Sequence, residues 1–225
     1  MKKVVIIYGA PGSGKGTQAN ELAKVLDLEH FDTGKIIEKK VFDPKSKDDP
    51  IIQREKKNFE NGDLCTPEWV SNEIVKKTVR KFNQDGKGIV FSGSPRTLPE
   101  ARELIPILEN LYNKENIYIL RLNVKPETSI FRNSNRRVCS KCGHALVYND
   151  ENKKLNKCPK CGGELVKRVL DKIETIKVRL EEFKKRTEPI YSFLEGLGYK
   201  IIDIDGDNPS VKEVSQDILK SLGDI

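Results

Sequence analysis

Residues 3–17 read KVVIIYGAPGSGKGT, an unbroken β-branched run joined to a cluster of glycines and a lysine. The expected strand Lys3 to Tyr8 is apolar from Val4 onward rather than alternating, the pattern of a strand covered on both faces and hence of a parallel sheet. Gly9 ends that strand, and from Lys15 to Leu26 the chain has helical character. Glycines between a buried strand and a helix start can turn successive N–H groups inward, and the helix dipole adds to the same concavity. Gly12, Ser13, Gly14, Lys15, Gly16 and Thr17 therefore form a candidate nest for phosphate oxygens, with Lys15 supplying a point charge to the outer phosphates.

Working outward, strands are expected at Leu28 to Phe31, Gly88 to Ser92, Ile117 to Val124 and Lys200 to Asp205. Between them lie amphipathic helices: one ending at Gly62, one entered through Thr66 as cap and Pro67 as first residue, and others at 101–112, 126–135 and about 170–194, the last divided near Pro189. A final helix is expected over 210–222. Five strands separated by crossings too long for hairpins define a doubly wound α/β fold with a five-stranded parallel sheet. Two stretches leave the alternation, a polar helical excursion at 33–65 and a cysteine-bearing segment at 136–171, both read as inserts in a core spanning 1–225.

The 225-residue chain carries 41 Lys+Arg against 34 Asp+Glu, a surplus of +7, with 33% charged residues. Interspersed charge and recurring apolar clusters exclude a wholly disordered chain. No apolar run approaches the ~20 residues of a membrane span, and the short run after Lys2 and Lys3 lacks a cleavage pattern, so a cytoplasmic protein is expected. Surplus cations suit nucleic acid or a polyphosphate ligand equally, so their placement matters more than their sum.

Cys139, Cys142, Cys158 and Cys161 form two C-x-x-C pairs separated by 15 residues. That spacing, in a chain without secretory features, predicts a tetrahedral structural Zn²⁺ site, with Gly143, Gly162 and Gly163 easing the turns. Four thiolates leave no open position for catalysis, and the metal orders a segment too polar to make its own core. His144 is expected to be solvated and Cys65 to be a small semi-buried side chain.

The hydroxyl that usually follows the loop lysine stands one place later here, at Thr17 after Gly16. With Asp32-Thr-Gly34, Gly93-Ser-Pro-Arg-Thr97 and the Arg136-Arg137 pair, this makes the chain resemble the adenylate kinases, nucleoside monophosphate kinases of P-loop NTPase type, in their long-lid, zinc-bearing form. The resemblance covers essentially the whole chain in order. It implies a monomer that transfers phosphoryl groups between ATP, carried with Mg²⁺, and AMP, without nucleic-acid or membrane partners. It places Lys15, Arg132, Arg136, Arg168 and Arg179 around the ATP phosphates and the transferred group, with Arg168 and Arg179 also reaching the acceptor phosphate and Arg96 holding it. Arg132 and Arg136, four apart, are expected to share a helical face and one cleft. By the same resemblance Asn208 borders the ATP base. Thr33, Asp63, Leu64, Cys65, Gly93, Ser94, Pro95 and Glu100 line the AMP site, 33–65 closes over AMP, and 136–171 closes over ATP.

Several positions depart from the family pattern. Ser92 replaces the Asp that organises Mg²⁺, so altered metal dependence is expected. Glu38 stands where an arginine is usual, and Leu170 where an acid is. His144, Ala145 and Leu146 replace a polar and aromatic lid pair. Glu100 replaces a Gln that reads adenine, and since a carboxylate only accepts hydrogen bonds, GMP is a possible further acceptor. Two alternatives follow: a kinase with altered acceptor, and a nucleotide- or RNA-binding protein with weakened catalysis.

Overall fold

A computed structural model describes residues 2–223; Met1, Asp224 and Ile225 of the expected core span lie outside them. The core begins with β1 (Val4–Gly9), α1 (Lys15–Val25) and β2 (Leu28–Phe31). An excursion follows, α2 (Thr33–Val41) and α3 (Pro50–Asn61), closed by Gly62 in the left-handed region at φ 88°. The chain re-enters the core through α4 (Pro67–Val70), a π-helical turn Ser71–Val75 and α5 (Lys76–Gln84), then β3 (Gly88–Phe91), α6 (Leu98–Tyr112), β4 (Ile117–Asn123) and α7 (Pro126–Asn135). A second excursion holds three short strands, β5 (Arg137–Cys139), β6 (Ala145–Leu146) and β7 (Leu165–Val166). Helix α8 (Ile173–Glu182), a π-helical turn Phe183–Thr187, α9 (Pro189–Gly196), β8 (Ile201–Asp205) and α10 (Val211–Leu222) complete the chain.

The five core strands pair in parallel in the order β2-β3-β1-β4-β8. Side chains on β1 alternate between two cores, as the two-residue repeat of a strand requires. Val4, Ile6 and Tyr8 join Trp69, Ile74, Ile105, Leu108 and Ile190 on one face, while Val5 and Ile7 join Ala19, Leu22, Val214 and Ile218 on the other. Helices on both faces explain why β1 is buried along its whole length. Each core strand ends toward the same edge, and the loops leaving β1, β2 and β3 there carry the glycine cluster, Asp32-Thr-Gly34 and Ser92 to Arg96.

One expectation about a cap is corrected. Thr66 makes no side-chain cap; its hydroxyl instead donates to Glu55 Oε1 at 2.6 Å, because that buried carboxylate is the stronger acceptor. The break in the helix leading to Pro189 is a π-helical turn just before the proline.

Candidate functional site

Gly12 and Gly14 adopt φ of 80° and 96°, and Gly14 forms the N-cap of α1. A Cβ on Gly12 would sit 2.6 Å from Asn133 Nδ2 and 2.9 Å from the Ser129 carbonyl, so the loop lies directly on α7 and admits only glycine there. Ser129 Oγ fixes this contact by donating to the Pro11 carbonyl at 2.5 Å. Ser129 and Asn133 are wholly buried one helical turn apart; their spacing was readable in the sequence, but nothing local marked them as loop supports.

Lys15 Nζ, half-buried, donates to the Gly9 carbonyl at 2.5 Å and the Ala10 carbonyl at 2.8 Å, with Ser13 Oγ at 3.3 Å. Burial, then Arg96, Arg179 and Arg136, push the ammonium well below its ordinary value, against Asp32. Those arginines come from a loop after β3, from α8 and from the end of α7, so cations far apart in sequence converge on the glycine loop. Arg179 is itself pushed down to about 9, by burial and then by Arg136, Arg168 and Arg96.

Each arginine has a defined anchor. A Cβ added to Gly93 or Gly34 would lie 3.2 or 3.4 Å from Arg96 Nη2, so that guanidinium lies across both glycines. The Arg96 main chain is held at both ends: its N–H donates to Glu100 Oε2 at 3.1 Å, and its carbonyl accepts from Thr187 Oγ1 at 2.7 Å. Thr187, on the π-helical turn, is a positioning residue that sequence reading did not single out. Arg136 makes a two-pronged pair with Asp171, through Nε at 2.9 Å and through Nη2, and Arg179 Nη1 lies 3.7 Å from the same carboxylate. Arg168 Nη2 donates to Glu38 Oε2 at 2.9 Å.

Arg132 and Arg136 do not share a cleft-facing stripe. Helix α7 stops at Asn135, and Arg136 has extended backbone with ψ 137°, which takes its side chain off the helical face. Arg132 instead donates to the carbonyls of Gly206 at 2.6 Å and of Asp207 and Asn208 at 3.2 Å, fastening the loop after β8. The Asn208 side chain is committed to the start of α10, donating to Glu213 and accepting from the Ser210 amide.

On the other side, Thr33 and Ser94 are buried, and their hydroxyls have no hydrogen-bond partner among the described residues. Unpaired buried hydroxyls are costly unless a ligand meets them. The Leu64 amide donates to Glu182 Oε2 at 3.3 Å, and Cys65 is buried with its Sγ 3.6 Å from the Glu55 carbonyl. Gly93 and Pro95 are buried and Asp63 is exposed. Glu100 does not present a free carboxylate to a base: Oε1 accepts from Thr97 Oγ1 at 2.9 Å while Oε2 takes the Arg96 amide, so both oxygens serve the start of α6. Ser92 Oγ lies 2.7 Å from His30 Nε2, whose Nδ1 lies 2.8 Å from Asn20 Oδ1. This chain puts no carboxylate at position 92, so the residues there do not fit the water-mediated support of Mg²⁺ that the resemblance implies for an Asp.

In the second excursion all four cysteine sulfurs lie within 4.8 Å of one another, with Cys139–Cys161 at 3.4 Å and Cys142–Cys158 at 3.7 Å. Zn–S bonds of ~2.3 Å in a tetrahedron put sulfurs roughly 3.8 Å apart, so the cluster is arranged to take Zn²⁺ with small shifts of its thiolates. The two turns repeat one design: Gly143 N–H donates to the Cys139 carbonyl and Gly162 N–H to the Cys158 carbonyl, both at 2.9 Å. His144 is not part of the cluster.

The sequence model of the adenylate kinase family matches residues 7–198. The chain is 35% identical over 219 residues to the adenylate kinase of Caldanaerobacter subterraneus subsp. tengcongensis, covering 97% of this chain and 95% of that one. It is 34% identical over 221 residues to that of Bacillus licheniformis, with 97% of each chain covered. For Acetivibrio thermocellus the figures are 35% over 223 residues and 98% of each chain.

Proposed function

The chain belongs to the adenylate kinase family, and we infer from this that its cationic cage carries out reversible transfer of a phosphoryl group from ATP to AMP, giving two ADP. The observation that carries the residue assignment is the gathering of Lys15, Arg96, Arg136 and Arg179, from four separate places in the chain, around one glycine loop. Such a concentration of buried positive charge is expensive unless anions complete it.

Gly12 to Thr17 hold the donor phosphates, with Lys15 released from the Gly9 and Ala10 carbonyls onto the outer phosphates. Arg132 secures the 206–208 loop beside the donor base, Asn208 among it. Arg136, Arg168 and Arg179 line the path of the transferred group, and Arg168 and Arg179 also reach the acceptor phosphate. Arg96, steadied by Thr187 and Glu100, holds the acceptor phosphate, and Thr33, Ser94 and the 63–65 backbone meet the rest of AMP. An acceptor phosphate is already an anion, so little proton chemistry is needed; catalysis is in-line placement, neutralisation of charge and exclusion of water. Mg²⁺ accompanies ATP in this family and neutralises its phosphates, with Thr17 the hydroxyl at hand. Ser92 contributes no charge to it.

We read 33–65 as the acceptor-closing insert and 136–171 as a lid braced by Zn²⁺ on Cys139, Cys142, Cys158 and Cys161. We also read the protein as a cytoplasmic monomer acting on free nucleotides; among the described residues no helix is long and apolar enough to cross a membrane. The test is a coupled assay with ATP and each monophosphate. Rapid turnover with AMP that Lys15→Met lowers at least a thousandfold, with the fold intact by circular dichroism, supports the assignment; a Lys15→Met enzyme that retains wild-type turnover refutes it.

A further inference from the structure

Among the described residues, two carboxylates form ion pairs with the caged arginines, and they differ in kind. Asp171, whose side chain is 1% exposed, holds Arg136 inside the root of the lid. Glu38 reaches Arg168 from α2 on the opposite insert, with side-chain exposures of 38% and 20%. The first is a fixed internal brace. The second is a reversible bridge between the two inserts, 130 residues apart in sequence, on an arginine assigned above to the acceptor phosphate.

We propose that Glu38 sets the enzyme's affinity for its acceptor by competing with the acceptor's phosphate for the Arg168 guanidinium. The inference rests on the assignment of Arg168 to the acceptor phosphate. A carboxylate and a phosphate dock on the same planar donor fork. The phosphate arriving at Arg168 therefore meets a cation already paired, and it must displace Glu38 or share the guanidinium while standing beside a second negative charge. Either route weakens acceptor binding. The donor is held chiefly by the glycine loop and Lys15 and meets Arg168 only through its transferred group, so the pair weighs more on the acceptor.

A partly exposed ion pair is weak, so the expected effect is about two- to fivefold. Calorimetric titration of AMP into Glu38→Gln is expected to show a Kd lower than wild type by that factor, with KM for AMP falling in parallel and by more than KM for ATP. Glu38→Asp, which keeps the charge, is expected to stay closer to wild type than Glu38→Gln. Arg168→Met is expected to weaken AMP and to remove the benefit of Glu38→Gln in the double variant. If Arg168→Met weakens AMP binding but Glu38→Gln leaves it unchanged or weaker, the competition is refuted while the assignment of Arg168 stands. If Arg168→Met leaves AMP affinity untouched, the assignment of Arg168 fails and the inference fails with it.

Discussion

At Glu100 a buried carboxylate caps the helix that follows Arg96, and burial raises its pKa despite the Arg96 amide, the Thr97 hydroxyl and the charges of Arg96 and Arg186. A carboxyl that holds its proton more tightly folded than unfolded loses its stabilising contribution as pH rises through the folded pKa. Glu100→Gln keeps an acceptor for the Arg96 amide and removes the buried charge. It is expected to stabilise the protein by about 1 kcal/mol at neutral pH, the gain shrinking as pH falls through the carboxylate range, measured by urea unfolding at several pH values. With both oxygens committed to the cap, the ratio of GMP to AMP turnover is expected to stay the same in this variant. The residue's identity was plain in the sequence, but its two partners depend on a turn through Pro95 that no periodicity encodes. Ser129, Asn133 and Thr187 were illegible for the same reason: Ser129 and Thr187 each matter through one contact with a distant backbone carbonyl, and Asn133 through its close approach to Gly12.

The elements themselves were far more legible. Lys15, Pro67 and Pro126 begin the helices the sequence assigns to them, and Gly62 closes α3 as its lack of a Cβ suggests. What the pattern could not show is how the inserts are held shut on themselves. Glu55 lies on the inner face of α3, wholly buried, and accepts from the Thr66 amide at 2.8 Å and the Thr66 hydroxyl at 2.6 Å. Although burial pushes its carboxyl up, the Thr66 bonds and Arg54 hold it below the ordinary range. Its contribution is thus present above the unfolded carboxylate pKa and lost as pH falls through the depressed folded value. Glu55→Ala is expected to cost about 2–4 kcal/mol at pH 7 and progressively less toward acid, with hydrogen exchange rising first in 50–66.

For the molecule as a whole, the five-stranded order and the cysteine ribbon follow from signals contained within short stretches, a buried strand meeting glycines and two paired knuckles. The cage does not, because its arginines are aimed by pairings that span the chain, such as Arg136 with Asp171 and Arg168 with Glu38. On the reading proposed above, the 136–171 segment depends on metal, while the sheet has its own two cores. One Zn²⁺ per chain is expected by metal analysis. Chelation is expected to lower the melting temperature and open 140–164 to protease while leaving most of the far-ultraviolet signal; a chelated protein that melts and digests as before would show that no structural metal is bound.

The clasp between Arg136 and Asp171 brings the second excursion's entry and exit side by side before the ribbon begins. The core consequently spans the same small gap whatever lies between them. Residues 137–167, which stop short of Arg168, amount to an exchangeable cassette: its length and its thiolates could change without redrawing the scaffold that carries the cage.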